Sequence, residues 1–147
     1  MIVDTSAIVA VLFGEPDATL YAEAIANADV CRISAATLVE AAIVVASQTD
    51  NGWSEFDYFM RRAGISVSPV TEEMSRIAVD AWWRYGKGRH PAGLNFGDCF
   101  SLRLVQGDRG TAPFQGNGFC QNRSFLCSVS PCLPIPLRWD PGSPPPR

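Results

Sequence analysis

The stretch that most restricts the fold is Met1-Ile2-Val3-Asp4-Thr5-Ser6-Ala7. Three residues suited to a buried strand lead into a carboxylate, two hydroxyls and a small residue. A continuous apolar strand of this kind fits the centre of a parallel sheet covered on both faces. Ligands of open α/β sheets bind beyond the carboxyl ends of such strands, which places Asp4 at a rim where chemistry occurs. Asp, Thr and Ser are also good helix caps, so these seven residues by themselves leave a purely structural role for Asp4 equally open.

The chain that follows alternates short β-forming runs with helical patterns. Ala7–Phe13 begins a helix that stops at Gly14-Glu15-Pro16, and Asp17 is placed to cap an Ala-rich helix reaching about Ala28. Asp29–Ile33 reads as a strand, Ser34 as the cap of a helix from Ala35 to about Gln48, and Thr49-Asp50-Asn51-Gly52 as a turn. A helix over Ser54–Ala63, a strand over Ile65–Val70 and a helix capped by Thr71 complete the pattern, the last carrying Trp82 and Trp83 to about Gly86. Strands alternating with helices predict a parallel α/β sheet. The basic loop Gly86–Gly93 then leads to Asn95 and Asp98 at the start of a further helix.

Glu40 is the second informative acid. Helical spacing aligns it with Ala36, Thr37, Ile43 and Val44, in an otherwise apolar stripe. A carboxylate there is costly to bury unless a charge or a metal compensates it, and the alternative is that the helix turns Glu40 to solvent. If Asp4, Glu40 and Asp98 converge on one rim, their repulsion calls for a cation. Oxygen-only ligands suit Mg²⁺ or Mn²⁺ rather than zinc. Such an ion activates water and stabilises an in-line attack on a phosphodiester. An acid-rim phosphatase with Asp4 as nucleophile is a competing reading, but the haloacid-dehalogenase-like pattern has a second Asp two residues on, where this chain has Ser6.

Composition divides the chain near Ser101. Residues 1–101 carry 7 Lys/Arg and 13 Asp/Glu, whereas residues 102–147 carry 5 Arg, 2 Asp, 8 of the 11 prolines and 3 of the 5 cysteines. No apolar run has the length of a membrane span, and the first residues lack the basic start of a signal peptide. The expected location is cytoplasmic, where the cysteines stay reduced; their spacings match no zinc or redox framework.

Three segments together resemble a known family. Asp4-Thr5-Ser6-Ala7, Leu38-Val39-Glu40-Ala41 and the long stretch Gly86-Lys87-Gly88-Arg89-His90-Pro91-Ala92-Gly93-Leu94-Asn95-Phe96-Gly97-Asp98-Cys99 are similar to PIN-domain ribonucleases, and within them to the VapC toxins of bacterial type II toxin–antitoxin systems. The resemblance implies a PIN-like α/β fold, Mg²⁺-dependent endoribonuclease activity on RNA, a VapB-type antitoxin that blocks the site, and a toxin homodimer. It assigns Asp4, Glu40 and Asp98 to three acidic positions that hold metal and catalyse, and Thr5 and Ser6 to hydroxyls that steady the site. Arg84, Lys87 and Arg89 become candidate contacts to RNA phosphate.

The resemblance covers residues 1–101, the PIN-like domain, and then breaks. After Phe100-Ser101 the family leads one to expect a helix like YALAKATGE, a strand like PLLFKG and a D-F pair bearing a fourth acid. The chain instead reads Leu102-Arg103-Leu104-Val105-Gln106-Gly107-Asp108-Arg109-Gly110. A divergent tail, a fusion or a change of reading frame would each produce such a break, and the genetic code tests the third. Joining the last two bases of each codon to the first base of the next makes Gln106–Gly116 compatible with K-A-T-G-E-P-L-L-F-K, and continuing through Ser124 permits G, then M or T, then D-F-A-K-T-D. The displaced aspartate straddles Gly118 and Phe119. The tail over 102–147 therefore reads as an out-of-frame translation beginning near Ser101–Leu102. It is expected to be irregular beyond Gly107 and to leave the sheet without its last native strand. The expectation on this reading is a PIN lineage with weak or no nuclease activity: either a nuclease working with three acids, or a remnant that binds antitoxin without cutting.

Overall fold

The computed structural model describes residues 1–107, with side chains through Ser101, and the short strand Leu126–Cys127. Strand β1 (Ile2–Val3) is fully inside the protein, as its apolar run requires, and Asp4 ends it by capping helix α1 (Thr5–Phe13). Gly14 closes that helix in the left-handed region, φ 65°, which a residue without Cβ adopts at little cost. Helix α2 (Ala18–Ala26) follows. Asp17 occupies the cap position, but its side chain makes no capping hydrogen bond.

Strand β2 (Cys31–Ser34) runs directly into α3 (Ala35–Ala46), because the Ser34 hydroxyl accepts the Thr37 backbone N–H and starts the helix. Helix α4 (Gly52–Arg62) and strand β3 (Ile65–Ser68) come next. Helix α5 (Glu72–Tyr85) is capped by Thr71 and has two acids in its first turn, where the helix dipole favours them. Helix α6 (Phe96–Gly107) carries Asp98 in its first turn and continues past the composition break as far as Gly107.

The sheet order is β3-β2-β1-β4. The first three strands are parallel, with Ile2 opposite Arg32 and Cys31–Ser34 opposite Ile65–Ser68. Strand β4 (Leu126–Cys127) lies antiparallel to β1, with Ile2 opposite Cys127 and Val3 opposite Leu126. This pairing departs from the expectation of irregular chain beyond Gly107. The free edge of β1 presents unpaired backbone donors and acceptors that any extended segment can satisfy, and these two tail residues do so. The remainder of the expected irregular tail lies outside the described residues.

The main core gathers Val3, Ile8, Tyr21, Ile33, Val45 and Phe56 around the sheet, and a smaller one joins Ala78, Ala81, Leu94, Cys99 and Phe100 between α5 and α6. The second core fixes α6, and hence Asp98, against α5. The apolar stripe expected on α3 is shifted. Its buried line is Thr37, Ala41 and Val45, whereas Ile43 faces outward and Glu40 lies half-buried at the border. The i, i+4 line through 37, 41 and 45 faces the sheet because Ser34 fixes the helix phase. Among the described residues no helix is long and apolar enough to cross a membrane.

Candidate active site

The carboxyl end of β1 delivers Asp4 into the interior, where it is 3% exposed. A buried carboxylate must be hydrogen-bonded to be tolerated, and its partners come from two helices. Ser6 of α1 donates to Oδ2 from both its backbone N–H (3.4 Å) and its hydroxyl (3.2 Å). Ser101 of α6 donates its hydroxyl to Oδ1 at 3.1 Å. Asp4 thus caps α1 at the carboxyl end of β1, the structural role the sequence offered for it.

Ser101 belongs to a buried chain of hydroxyls. Thr37 Oγ1 lies 3.5 Å from Ser101 Oγ, 2.8 Å from Ser34 Oγ, and within 3.3 Å of the Gly97 carbonyl oxygen, to which it donates. These contacts tie the β2–α3 junction to α6 and to Asp4. Sequence reasoning missed Ser34, Thr37 and Ser101 as site residues. Their signal is spacing: Ser34, Thr37 and Glu40 are successive i, i+3 neighbours, and Ser101 is three residues after Asp98.

Glu40 reaches the site from α3. Thr5 donates its hydroxyl to Glu40 Oε2 at 2.8 Å. The carboxylate is seated directly on Gly97, where an added Cβ would overlap Oε2 and meet Cδ at 3.1 Å. Gly97 therefore makes room for Glu40 beside α6, a further positioning residue not identified from sequence.

Asp98 is anchored by the start of its own helix. Its backbone N–H donates to Asn95 Oδ1 and the Asn95 N–H donates to Asp98 Oδ2, each at 2.8 Å. This reciprocal pair satisfies two otherwise orphaned donors, in the manner of a capping box. Burial pushes the Asp98 carboxyl up to about 6. The hydrogen bond from the Asn95 region opposes that rise, and the charges of Asp4 and Glu40 add to it. The same two causes, burial first and then the Asp98 and Glu40 charges, push the neighbouring Cys99 thiol up to about 12.

The donor set is all-oxygen and mutually repulsive, which fits a hard divalent cation. Among the described residues no three His, Cys, Asp or Glu side chains are gathered tightly enough to enclose one. The structure brings Asp4, Glu40, Asp98, Thr5 and Ser6 to one junction. Of the three candidate RNA contacts, Arg84 is engaged with Asp80 one helical turn away, Nε to Oδ1 at 2.9 Å, whereas Lys87 and Arg89 stand exposed in the loop leading to α6.

Comparison with known proteins agrees with this architecture. The family model described as PIN domain matches residues 1–110. The VapC ribonuclease Mb0625 of Mycobacterium bovis and ribonuclease VapC28 of Mycobacterium tuberculosis are each 50% identical over 121 residues, covering 81% of this chain and 91% of the relative. Ribonuclease VapC of Mycolicibacterium smegmatis is 42% identical over 120 residues, covering 81% and 93%.

Proposed function

The chain belongs to the PIN-domain family, and from that footing we propose that it is a metal-dependent endoribonuclease toxin of a type II toxin–antitoxin system. The observation that carries this reading is the seating of Glu40 on Gly97 beside Thr5, which brings the acid of α3 to the junction already holding Asp4 and Asp98. Asp4 and Asp98 are the residues that would hold Mg²⁺ or Mn²⁺, with Glu40 acting directly or through water. When bound, such an ion lowers the pKa of a coordinated water and offsets charge on the phosphodiester. The chain's own part is to hold its carboxylates in fixed orientations through Ser6, Ser101 and Thr5, and to accept the proton of the attacking water at a carboxylate oxygen. Lys87 and Arg89 serve as phosphate contacts. A VapB-type antitoxin, a homodimer and a cytoplasmic location accompany this reading. The purified full chain should cleave single-stranded RNA with Mg²⁺ and lose cleavage with EDTA or in Asp4→Asn. Equal cleavage in all three conditions would rule the reading out.

The break in the family pattern bears on rate. The motifs are intact through Ser101, but the fourth acid lies in the displaced reading frame at Gly118–Phe119. We infer that the site works with three acids and turns over more slowly than the same chain with its frame restored. Sequencing the gene across the codons for Ser101 and Leu102 tests the displacement, and comparing the two proteins' cleavage rates tests its consequence. Equal rates would show that the displaced acid is dispensable, and antitoxin binding without cleavage would identify a binding remnant.

A further inference from the structure

The last turn of α5 carries two adjacent tryptophans that the acidic site does not use. Trp82 is 38% and Trp83 37% exposed, a large aromatic surface facing solvent. Their rings meet edge to face, centroids 5.5 Å apart. The Arg89 guanidinium lies over both, 3.9 Å from the Trp83 centroid and 4.5 Å from that of Trp82. Trp82 reaches this position because residue 86 is glycine: an added Cβ there would stand 2.8 Å from Trp82 Cδ1 and 2.9 Å from Nε1.

The loop that carries Arg89 is clamped to the helix that carries Asp98. Lys87 N–H donates to the Leu94 carbonyl at 3.0 Å, Leu94 N–H donates to the Tyr85 carbonyl at 2.9 Å, and Leu94 itself is buried. Asp98 lies four residues beyond Leu94, and Trp82 lies one turn before Gly86, which is bridged to Leu94. Chain geometry keeps the tryptophans within about 25 Å of Asp98. Residues 86–93 contain Lys87, Arg89 and His90 and no acid. His90 is engaged locally, its Nδ1 accepting the Ala92 N–H at 3.0 Å and its ring edge-on to Tyr85.

Exposed aromatics interleaved with an Arg guanidinium and an exposed Lys are the elements that recognise single-stranded RNA, by base stacking together with phosphate attraction. Resting on the nuclease reading, the geometry points to Trp82, Trp83 and Arg89 as a nucleobase-stacking platform that holds single-stranded RNA beside the acidic site. Stacking on indole and guanidinium faces tolerates any base, so the platform positions the strand without reading its sequence.

The test is binding of a fluorescein-labelled single-stranded oligoadenylate to the full chain in EDTA, followed by anisotropy across a salt series. Metal-free conditions separate binding from cleavage. Trp83→Leu should weaken binding about tenfold with the salt slope unchanged, because stacking releases no counterion. Arg89→Lys keeps the charge but not the planar face and should also weaken binding without changing the slope. Lys87→Gln should instead lower the slope by about 0.7. Both Trp83→Leu and Arg89→Lys alter exposed side chains, and circular dichroism checks that each is folded. Binding by both within twofold of wild type overturns the platform, as does absence of binding by the wild-type chain. A change in oligomeric state with RNA affinity unchanged also overturns it and assigns the tryptophans to contact with a second copy. Platform-dependent binding without Mg²⁺-dependent cleavage leaves the platform standing and refutes the nuclease.

Discussion

Gly97→Ala separates positioning of the site from stability of the fold. The new methyl carbon would overlap Glu40 Oε2, meet Cδ at 3.1 Å and stand 3.5 Å from Thr5 Oγ1. Ordinary contact between heavy atoms begins near 3.5 Å, so the carboxylate must retreat by about 1 Å. It can do so, being the far end of a flexible, half-buried side chain. The cost is the Thr5–Glu40 hydrogen bond, about 1.5–3 kcal/mol for a charged acceptor and less where water can replace it. Against this stands a gain of about 0.5–1 kcal/mol for Ala over Gly within a helix. The net change in metal-free stability is therefore small, about 1 kcal/mol of destabilisation. The consequence for the site is larger, since a misplacement of about 1 Å costs about 10²-fold in a reaction that depends on geometry. Thermal unfolding with and without Mg²⁺ reads both quantities, because a ligand that binds only the folded state raises the melting temperature. The variant should melt close to wild type in EDTA but gain less from Mg²⁺, and its RNA cleavage should fall steeply. A wild-type Mg²⁺ response and wild-type cleavage in Gly97→Ala would refute the reasoning.

Three further outcomes follow from the same contacts. Ser101→Ala removes the hydroxyl donor to the buried Asp4 carboxylate and should cost about 1.5–3 kcal/mol in urea unfolding; no loss would mean that water replaces the hydroxyl. The Asp98 carboxyl sits at about 6 rather than its ordinary 3.8, so the folded state binds this proton more tightly than the unfolded state. Its contribution to stability is full below about pH 4 and is lost as pH rises through about 6. Metal-free wild-type protein should therefore lose stability across that window relative to Asp98→Asn, and parallel profiles would contradict the assignment. Cys99 is buried with its thiol pushed up to about 12, so iodoacetamide at about pH 8 should label it only after unfolding; rapid labelling of the native protein, read by mass spectrometry, would count against this burial.

The structural places of the three acids are legible because each stands in a distinctive local context: Asp4 after an apolar triplet, Glu40 within an apolar helix, Asp98 after a long Gly-rich loop. The hydroxyls were not, because Ser34, Thr37 and Ser101 look like ordinary cap and helix residues until three elements meet. Gly97 was similarly silent, since the space it provides is filled by a residue fifty-seven positions earlier. The phase of α3 was misplaced because Ile43, judged by hydrophobicity, belongs inside, whereas the Ser34 cap turns it outward. Strand β4 has only two residues and carries no periodicity of its own; its pairing is set by the open edge of β1.

The central proposal is that Asp4, Glu40 and Asp98 together bind one divalent cation. Electron paramagnetic resonance of Mn²⁺ added to the full chain, compared with Asp4→Asn and Glu40→Gln, tests it most directly. The account predicts a bound ion in the wild-type chain, lost in Asp4→Asn and weakened in Glu40→Gln. Binding unchanged by either substitution, or no binding by the wild-type chain, would contradict it.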